Sequence, residues 1–357
     1  MDLFGDLPEP TGEILKHSNT NGSSVDGLFG DLPSPSSTKK MTENLPAKRK
    51  IQDEEKQETK KPALGLYQLH GYYYARKGER EMMQDAHVIN DAFHKTVANL
   101  HPSIHRLAYY AVFDGHGGVR ASQFSAAQLH QYLTAKLPKG DLAQVEKEIK
   151  RCLIETFKKT DEEFLKEASK HKPSWKDGTT AITVLAINNT LYIANLGDSK
   201  AILCRYSEQN MRYIAVPLSK DHSPTDYEER MRIQKAGGYV KDGRVLGVLE
   251  VSRSIGDGQF KTTGVISLPD VRRCQLTDND RFLLLACDGL WKVFTSDEVV
   301  QKIQANIHND GAAPKEKQVV PNYEGICGKL VNEALRKLSG DNVTVVIVDI
   351  QKGEPNQ

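Results

Sequence analysis

Residues 107–118 read Leu-Ala-Tyr-Tyr-Ala-Val-Phe-Asp-Gly-His-Gly-Gly, an apolar run that stops at a carboxylate. A short run of this kind, followed by glycines, is typical of a strand that is covered on both faces. The charge at its end, Asp114, is costly to bury unless it reaches water, a partner or a metal ion. The stretch therefore predicts a central strand whose end delivers Asp114 to a site.

Four more aspartates stand beside apolar segments of the same kind. They are Asp288 after 282–287, Asp198 after 191–196, Asp341 before 343–348, and Asp85 before Val88. One such aspartate is most often a turn residue, because its side chain bonds to nearby backbone. Several together favour a shared cation, since converging carboxylates repel unless a positive charge lies between them. A donor set made only of oxygen favours Mg²⁺ or Mn²⁺ over zinc.

A pair of such ions would suit the hydrolysis of a phosphoester. Two ions about 3.5 to 4 Å apart can share a carboxylate and turn a water into a nucleophile at neutral pH. An arginine nearby can bind the phosphate through paired hydrogen bonds, and a histidine can protonate the leaving oxygen.

The surrounding sequence indicates how the strands are arranged. Residues 181–187 and 190–193 flank Asn188 and Asn189, which tolerate the positive φ of a two-residue hairpin. Apolar side chains at helical spacing predict two helices, over 126–137 and 145–157. Hairpins favour antiparallel sheets, and strands that are apolar at nearly every position need cover on both faces. We therefore predict an α/β fold, a sandwich of two antiparallel sheets flanked by helices on both outer faces.

Later helices have boundary signals. Thr225 and Thr295 are each followed by a glutamate three residues later, the spacing of a capping box. Two glycines, at 237 and 238, predict the end of the first of these helices. A last helix is predicted over 326–338, before the final strand.

Composition divides the 357 residues into two parts. Residues 1–62 contain no Tyr or Trp and only two Phe, so they have too little apolar surface to offset the entropy of ordering. We expect a disordered tail there. The interleaved strands and helices of 67–351 predict one catalytic domain with one core.

Two features of the tail remain open to two interpretations. Residues 3–8, Leu-Phe-Gly-Asp-Leu-Pro, recur at 28–33, either as a pair of partner-docking motifs or as a neutral duplication. The lysines at 39 and 40, with Lys-Arg-Lys at 48–50, resemble a split nuclear import signal or an ordinary solvated charge run. We expect a cytoplasmic protein that the import signal would also admit to the nucleus.

Charge and cysteine content exclude several classes of protein. The net charge of +1 argues against nucleic-acid binding, and five cysteines without C-x-x-C spacing argue against a disulfide framework or a zinc site. The sequence has neither a signal-peptide pattern nor an apolar run long enough for a membrane helix. We expect a soluble, intracellular monomer that binds neither nucleic acid nor membranes.

Six motifs, taken in order, resemble those of the protein phosphatase 2C family. They are Arg80–His87, Asp114–Gly118, Gly197–Ser199, Val251–Asp257, Asp288–Trp291 and Asp341-Asn342. The resemblance covers about residues 70–350 and implies metal-dependent hydrolysis of phosphoserine and phosphothreonine in phosphoproteins. It also implies a double antiparallel sheet with outer helices, in agreement with the independent prediction. Residues 1–8 and 244–253 are most similar to a member named for its association with a kinase, which implies a kinase partner.

The resemblance implies a role for each matching residue of the metal centre. Asp114 would bridge two ions and the carbonyl of Gly115 would hold one of them. Asp288 and Asp341 would hold the other ion, and Asp85 would act through a water.

The resemblance also assigns the residues around that centre. Arg80 would bind phosphoryl oxygens, His116 would be the general acid, and Asp198 would join Asp288 in a third metal position known in some members. Gln84 stands where many members have Glu, and Lys292 where several have Asp. These two differences imply weaker metal binding near Gln84 and argue for a core of two ions without a third.

Two other functions fit parts of the pattern. A catalytically silent scaffold of the same fold would bind phosphoproteins, but it would be expected to lack a core Asp or His, and none is missing. A two-metal nuclease would show a basic stripe with interleaved aromatic residues, which a net charge of +1 does not favour. The sequence therefore predicts a serine/threonine phosphatase.

Overall fold

A computed structural model describes residues 65–310 and 321–353. The predictions about residues 1–62, including the repeated motif and the basic cluster, lie outside these ranges. In chain order, the strands and helices are β1 (Gln68–Arg76), β2 (Ala86–Asn90), β3 (Leu107–Phe113), β4 (Gly115–His116), α1 (Arg120–Lys136), α2 (Leu142–Ala168), β5 (Gly178–Thr179), β6 (Ala181–Ile187), β7 (Thr190–Leu196), β8 (Lys200–Ser207), β9 (Arg212–Pro217), α3 (Tyr227–Lys235), β10 (Val240–Lys241), β11 (Arg244–Val245), β12 (Ile255–Gly256), β13 (Asp270–Gln275), β14 (Asp280–Ala286), α4 (Asp288–Trp291), α5 (Ser296–Asp310), α6 (Tyr323–Arg336) and β15 (Val343–Gln351).

Two five-stranded sheets form the centre of the fold. One has the order β1-β15-β14-β8-β9 and the other β13-β7-β6-β3-β2, and neighbouring strands are antiparallel throughout. The predicted hairpin joins β6 to β7, with Asn188 at φ 48°. The predicted sandwich of antiparallel sheets is therefore confirmed.

Three apolar clusters define four layers. The first cluster joins the second sheet to α1 and α2, and another joins the first sheet to α5 and α6. A third cluster fills the space between the sheets with residues from both. Both outer faces are thus covered by helices, as predicted. Within the described ranges, no helix has the length and apolar composition needed to cross a membrane.

Strand β3 explains the order of the layers. All of its side chains are buried, and its odd-numbered residues, such as Tyr109, face α1 and α2. The even-numbered residues, such as Tyr110, face the opposite sheet. Because side chains alternate along a strand, a strand that is apolar at every position has to lie between two covers.

The predicted helix boundaries were partly right. Thr295 forms the capping box, since its N–H donates to Glu298 Oε2 (2.7 Å) and the Glu298 N–H donates to Thr295 Oγ1 (3.3 Å). Thr225 does not begin a helix, and this prediction was wrong. Asp226 is the N-cap of α3, while the Thr225 hydroxyl lies 2.7 Å from that of Ser223. Neither the predicted capping box at Thr225 nor a side-chain cap from Asp226 is formed, and the helix starts one residue later than predicted.

Residues 218–269 form an insertion between β9 and β13. It has a small apolar cluster of its own around Ile233, Val245 and Phe260. Glu229 on α3 ties the insertion together, because its buried carboxylate accepts hydrogen bonds from Arg232, Arg253 and the Ser252 hydroxyl. The motif 251–257, one of the six that resemble the family, contributes Ser252 and Arg253 to this network.

Candidate metal centre and active site

Strand β3 ends at Phe113, so Asp114 directly follows the strand, as predicted, and neighbouring residues hold the turn in place. The carbonyl of Asp114 accepts hydrogen bonds from the Thr180 N–H and the Thr179 hydroxyl, both at 2.9 Å. Gly115 then packs so closely on the carbonyl of Gln84 that a Cβ atom there would overlap it. The backbone is therefore fixed on both sides of the Asp114 side chain.

The aspartates converge from distant parts of the chain. One oxygen each of Asp114, Asp198 and Asp288 lies within 4.8 Å of the others. Asp85, Asp114 and the thiol of Cys287 form a second group with the same spacing. Asp114 belongs to both groups, so it occupies the centre of the cluster.

Burial and mutual repulsion raise the pKa values of the clustered carboxyl groups. Burial raises the pKa of Asp114 well above its usual value, and the charges of Asp85 and Asp288 raise it further. Burial likewise raises the pKa of Asp85 and that of Asp198 to about 7 in each case, with Thr344 partly opposing it for Asp85 and Asp288 adding to it for Asp198. A divalent cation would reverse this effect, because it stabilises the ionised form of every carboxylate around it.

Unpaired oxygen atoms support the same interpretation. Asp85 Oδ1 and Asp288 Oδ1 are buried and have no hydrogen-bond partner among residues 65–310 and 321–353. Buried carboxylate oxygens are normally satisfied, so these atoms fit a bound cation or water. The donors are oxygens, with one thiol at the edge, and they fit a hard divalent ion.

Asp341 is linked to Asp288 by a lysine that contacts both carboxylates. The ammonium of Lys292 is 2.7 Å from Asp288 Oδ2 and 3.1 Å from Asp341 Oδ2. Burial lowers the pKa of Lys292, but the two carboxylates overcome this and raise it above its ordinary value. The side chain expected to oppose a third cation is thus directed into the acidic cluster.

Arg80 contacts the same Asp341 oxygen as Lys292 does. Its Nη2 donates to Asp341 Oδ2 (3.0 Å) and its Nε donates to the carbonyl of Gly340 (3.1 Å). Its side chain is 52% exposed, so part of the guanidinium faces solvent.

A cavity of about 450 Å³ collects most of these side chains. Its lining includes seven of the eight residues predicted from the sequence, namely Arg80, Asp114, Gly115, His116, Asp198, Asp288 and Asp341. The eighth, Asp85, approaches Asp114 from the side of Cys287, where the Thr344 hydroxyl donates to it (2.7 Å). The structure brings the predicted residues together, and their individual roles stay predictions.

His116 has a partner that the sequence analysis missed. Its Nε2 lies 2.7 Å from Oδ2 of Asp257, a side chain that is 2% exposed. Burial lowers the pKa of His116, but the charge of Asp257 and the hydrogen bond to it outweigh this, so the pKa is raised overall. The motif 251–257 did contain a signal, because its final aspartate follows a glycine, as Asp198 and Asp341 do.

Gln84 supports the site in a different way from the one expected. The amide orientation that satisfies both of its ends donates to the Gly115 carbonyl (3.3 Å) and accepts from the Gly118 N–H (3.1 Å). The Gln84 N–H donates to Asn342 Oδ1 (2.7 Å), while the Asn342 amide donates to the carbonyls of Lys77 and Met82. Gln84 therefore orients a predicted carbonyl ligand, and Asn342 anchors the loop that carries Arg80.

The fold resembles that of several solved structures. A serine-threonine phosphatase 2C from Toxoplasma gondii has a TM-score of 0.62 at 20% sequence identity and covers 79% of this chain and 95% of its own. A Caenorhabditis elegans sex-determining protein has a TM-score of 0.64 at 26% identity and covers 80% of this chain and 65% of its own. These similarities define the fold.

The sequence comparisons define the family. The family model of protein phosphatase 2C matches residues 72–343. The chain is 55% identical to the integrin-linked kinase-associated serine/threonine phosphatase 2C of Bos taurus, across 98% of this chain and 100% of that protein. The Homo sapiens protein of the same name is 52% identical with the same coverage, and a probable protein phosphatase 2C 67 of Oryza sativa is 38% identical across 76% of this chain and 72% of that protein.

The chain belongs to the protein phosphatase 2C family and is a metal-dependent serine/threonine protein phosphatase. The predicted enzyme class is confirmed, and the comparisons do not favour the alternative of a silent scaffold.

Proposed function

We propose that Asp114, the carbonyl of Gly115, Asp288 and Asp341 hold two Mg²⁺ or Mn²⁺ ions, with Asp85 acting through a water. The observation that carries this proposal is the convergence of carboxylates from distant parts of the chain. Among their oxygens, Asp85 Oδ1 and Asp288 Oδ1 are buried and have no partner in the described ranges. Bound there, the two ions would supply positive charge for a phosphate and lower the pKa of the attacking water.

Arg80 binds the phosphoryl group in this proposal. It lines the cavity beside Asp341, and its two contacts to Gly340 and Asp341 leave other N–H donors for phosphoryl oxygens. A guanidinium at this position orients the phosphate and stabilises charge that spreads over its oxygens.

His116 is the general acid. As the bond from phosphorus to the serine or threonine oxygen breaks, that oxygen keeps the electron pair and takes a proton from the imidazole. The ring recovers a proton from the water that has added to phosphorus, so the products are a hydroxyl side chain and hydrogen phosphate. The hydrogen bond between His116 Nε2 and the Asp257 carboxylate favours the protonated form that this step needs.

The test is phosphate release from phosphoserine and phosphothreonine peptides by the full chain. We expect turnover with Mg²⁺ or Mn²⁺ and none with excess chelator, and calorimetric titration with each ion should give two bound ions per chain. Turnover that survives the chelator would contradict the proposed chemistry. A third equivalent at comparable affinity would contradict the two-ion core and restore a role for Asp198.

The proposals about partners and location rest on the names of relatives and on the sequence of the tail. The substrates are phosphoproteins, and integrin-linked kinase is the proposed kinase partner because the relatives from Bos taurus and Homo sapiens are named for their association with it. We propose a monomer that works in the cytoplasm and, through the basic cluster at 39–50, in the nucleus. Co-precipitation with purified kinase, light scattering and imaging of a variant with the five basic residues replaced test these points separately.

A further inference from the structure

We propose that Asp257 is a positioning residue that holds the imidazole of His116 by Nε2, so that Nδ1 is the nitrogen offered to the leaving oxygen. The inference rests on the proposed role of His116 as general acid. It assigns a function to the last residue of the motif 251–257 and goes beyond the ligands and the phosphate-binding arginine.

The contact has the geometry of a charge-assisted hydrogen bond. His116 Nε2 lies 2.7 Å from Asp257 Oδ2, and since a carboxylate only accepts, Nε2 carries the hydrogen. The Ser254 hydroxyl donates to the same oxygen (2.6 Å), so the carboxylate is held from a second direction. Among the described residues, Asp257 is the hydrogen-bond partner of the ring.

The remaining ring nitrogen can reach a substrate. The His116 side chain is 30% exposed, although Asp257 is almost completely buried, and both line the cavity that contains Asp114 and Arg80. With Nε2 bound to Asp257, Nδ1 is the one nitrogen left to give a proton to a group in that cavity. A hydrogen bond at one nitrogen of this kind fixes the rotation of an imidazole and the identity of its free nitrogen.

A small sheet brings the two residues together. Strands β4, β5 and β12 form a three-stranded sheet in which Gly178 of β5 pairs with His116 on one side and Gly256 on the other. A Cβ atom on Gly178 would overlap both Asp257 Oδ2 and His116 Nε2. Because Gly178 of the middle strand β5 has no side chain, it leaves the space in which the His116 and Asp257 side chains meet.

The backbone at Asp257 is also specialised for this contact. Asp257 has φ 52° and ψ 44°, a left-handed conformation that is uncommon for a residue with a side chain. Its N–H donates to the carbonyl of Asp177 (3.0 Å), and the preceding Gly256 N–H donates to Asp161 Oδ1 (2.8 Å). Unusual backbone at a buried carboxylate beside a catalytic cavity is consistent with a functional constraint.

The experiment compares a phosphothreonine peptide with p-nitrophenyl phosphate, whose leaving group needs no proton. His116→Ala is measured first and should lose turnover on the peptide about 100-fold while it loses little on the aryl ester. Asp257→Asn should show the same selectivity with a loss of about 10-fold or more, and unchanged Mn²⁺ affinity by calorimetry. The double variant should be no slower than His116→Ala, because both changes act on one proton transfer.

Gly178→Ala tests the geometry without removing either partner. The added methyl should separate the two side chains and produce the same selective loss on the peptide. Asp177→Asn is the matched control, since Asp177 is equally buried and adjacent but is bound by Arg120. It should lower stability and leave the ratio of the two turnover numbers unchanged.

The outcomes separate the two levels of the argument. If His116→Ala slows both substrates equally, the acid role is wrong and the positioning role falls with it. If His116→Ala is selective but the folded Asp257→Asn and Gly178→Ala variants slow both substrates equally, or neither, the acid role stands and the positioning role is wrong. If Asp257→Asn does not fold, Gly178→Ala and Ser254→Ala decide the question, the latter with a smaller selective loss expected.

Discussion

Lys292 places a positive charge between two carboxylates of the acidic cluster. Its ammonium is within hydrogen-bond distance of Asp288 and Asp341, two residues assigned to one metal ion. An ammonium in this position partly neutralises the cluster and competes with a divalent ion for the same oxygens. We therefore expect this lysine to stabilise the metal-free protein at the expense of metal affinity.

Replacing this lysine should shift that balance. Lys292→Met should tighten Mn²⁺ binding about fivefold, a modest change because the side chain is 48% exposed and solvent screens its charge. Calorimetric titration measures the affinity, and thermal unfolding in chelator should show a lower Tm. Lys170→Met, at an exposed position just after the end of α2, is the control and should change neither. Weaker Mn²⁺ binding by Lys292→Met would mean that the lysine supports the metal centre.

Asp114 should have opposite effects on metal binding and on the stability of the metal-free protein. Burial and the neighbouring carboxylates raise the pKa of the Asp114 carboxyl group, which means that its ionised form destabilises the metal-free fold. Asp114→Asn removes this group, so in chelator we expect the Tm to rise by about 2 °C. The same variant should lose the increase in Tm that Mn²⁺ produces, together with more than about 100-fold of the turnover.

The control for this variant is Asp242→Asn, in the exposed β10–β11 hairpin, where φ is 52° and Asn is well tolerated. It should match the parent protein in all three measurements. An Asp114→Asn protein that Mn²⁺ still stabilises would exclude Asp114 as the bridging ligand.

At the level of elements, the insertion at 218–269 depends on one buried carboxylate. Burial raises the pKa of Glu229, but hydrogen bonds from Arg232, Arg253 and Ser252 outweigh this and lower the pKa well below its usual value. Arg253 also bonds to Asp270 at the start of β13, so the network joins the insertion to the sheet.

The lowered pKa fixes the sign of the pH dependence. A carboxylate with a lower pKa in the folded state stabilises the protein above the unfolded pKa of about 4.3, and the effect is lost as the pH falls below that value. Glu229→Gln should therefore cost about 3 kcal/mol at pH 7 and progressively less below pH of about 4. Urea unfolding in chelator, at pH 7 and again below pH of about 4, measures the free energy of unfolding under each condition. Glu228→Gln, on the exposed face of α3, should cost almost nothing at either pH. An equal loss at both pH values would show that the charge is not responsible.

The sequence predicted those elements whose signals are local. The apolar run of β3, the Asn188 turn and the Thr295 capping box depend on residues a few positions apart, and each was confirmed. The start of α3 was placed wrongly because Thr225 and Asp226 are both good N-caps, and the choice depends on how the preceding turn packs.

Part of the site could be predicted because antiparallel pairing brings the start of one strand beside the end of its neighbour. Ala86 pairs with Phe113, so Asp85 has to lie next to Asp114 once the sheet forms. Asp257 could not be placed in this way. It meets His116 across 141 positions through strands of two residues, which are too short to leave a periodic pattern in the sequence.

For the molecule as a whole, the residues predicted for the site lie between Arg80 and Asp341, within the ranges that the structure describes. Removal of residues 1–62 should therefore leave the hydrolysis of p-nitrophenyl phosphate within about twofold of the full chain, because the cavity is lined by residues from 80 to 341. Parallel assays of the full and shortened chains with Mn²⁺ test this.

The same pair of proteins tests the tail. Kinase capture or nuclear entry should decrease in the shortened chain if the repeated motif or the basic cluster functions as proposed. Loss of turnover on the small substrate would show that the tail contributes to catalysis.

The acidic cluster draws on both layers of the sandwich. Asp85 and Asp114 extend from the sheet that contains β2 and β3, while Asp288 and Asp341 extend from the sheet that contains β14 and β15. Cations bound among them would link the two sheets at one edge of the sandwich, in addition to the apolar packing between the sheets. Chelation should then accelerate amide exchange at that edge and leave the slowest-exchanging protons, in the middle of the strands, unaffected.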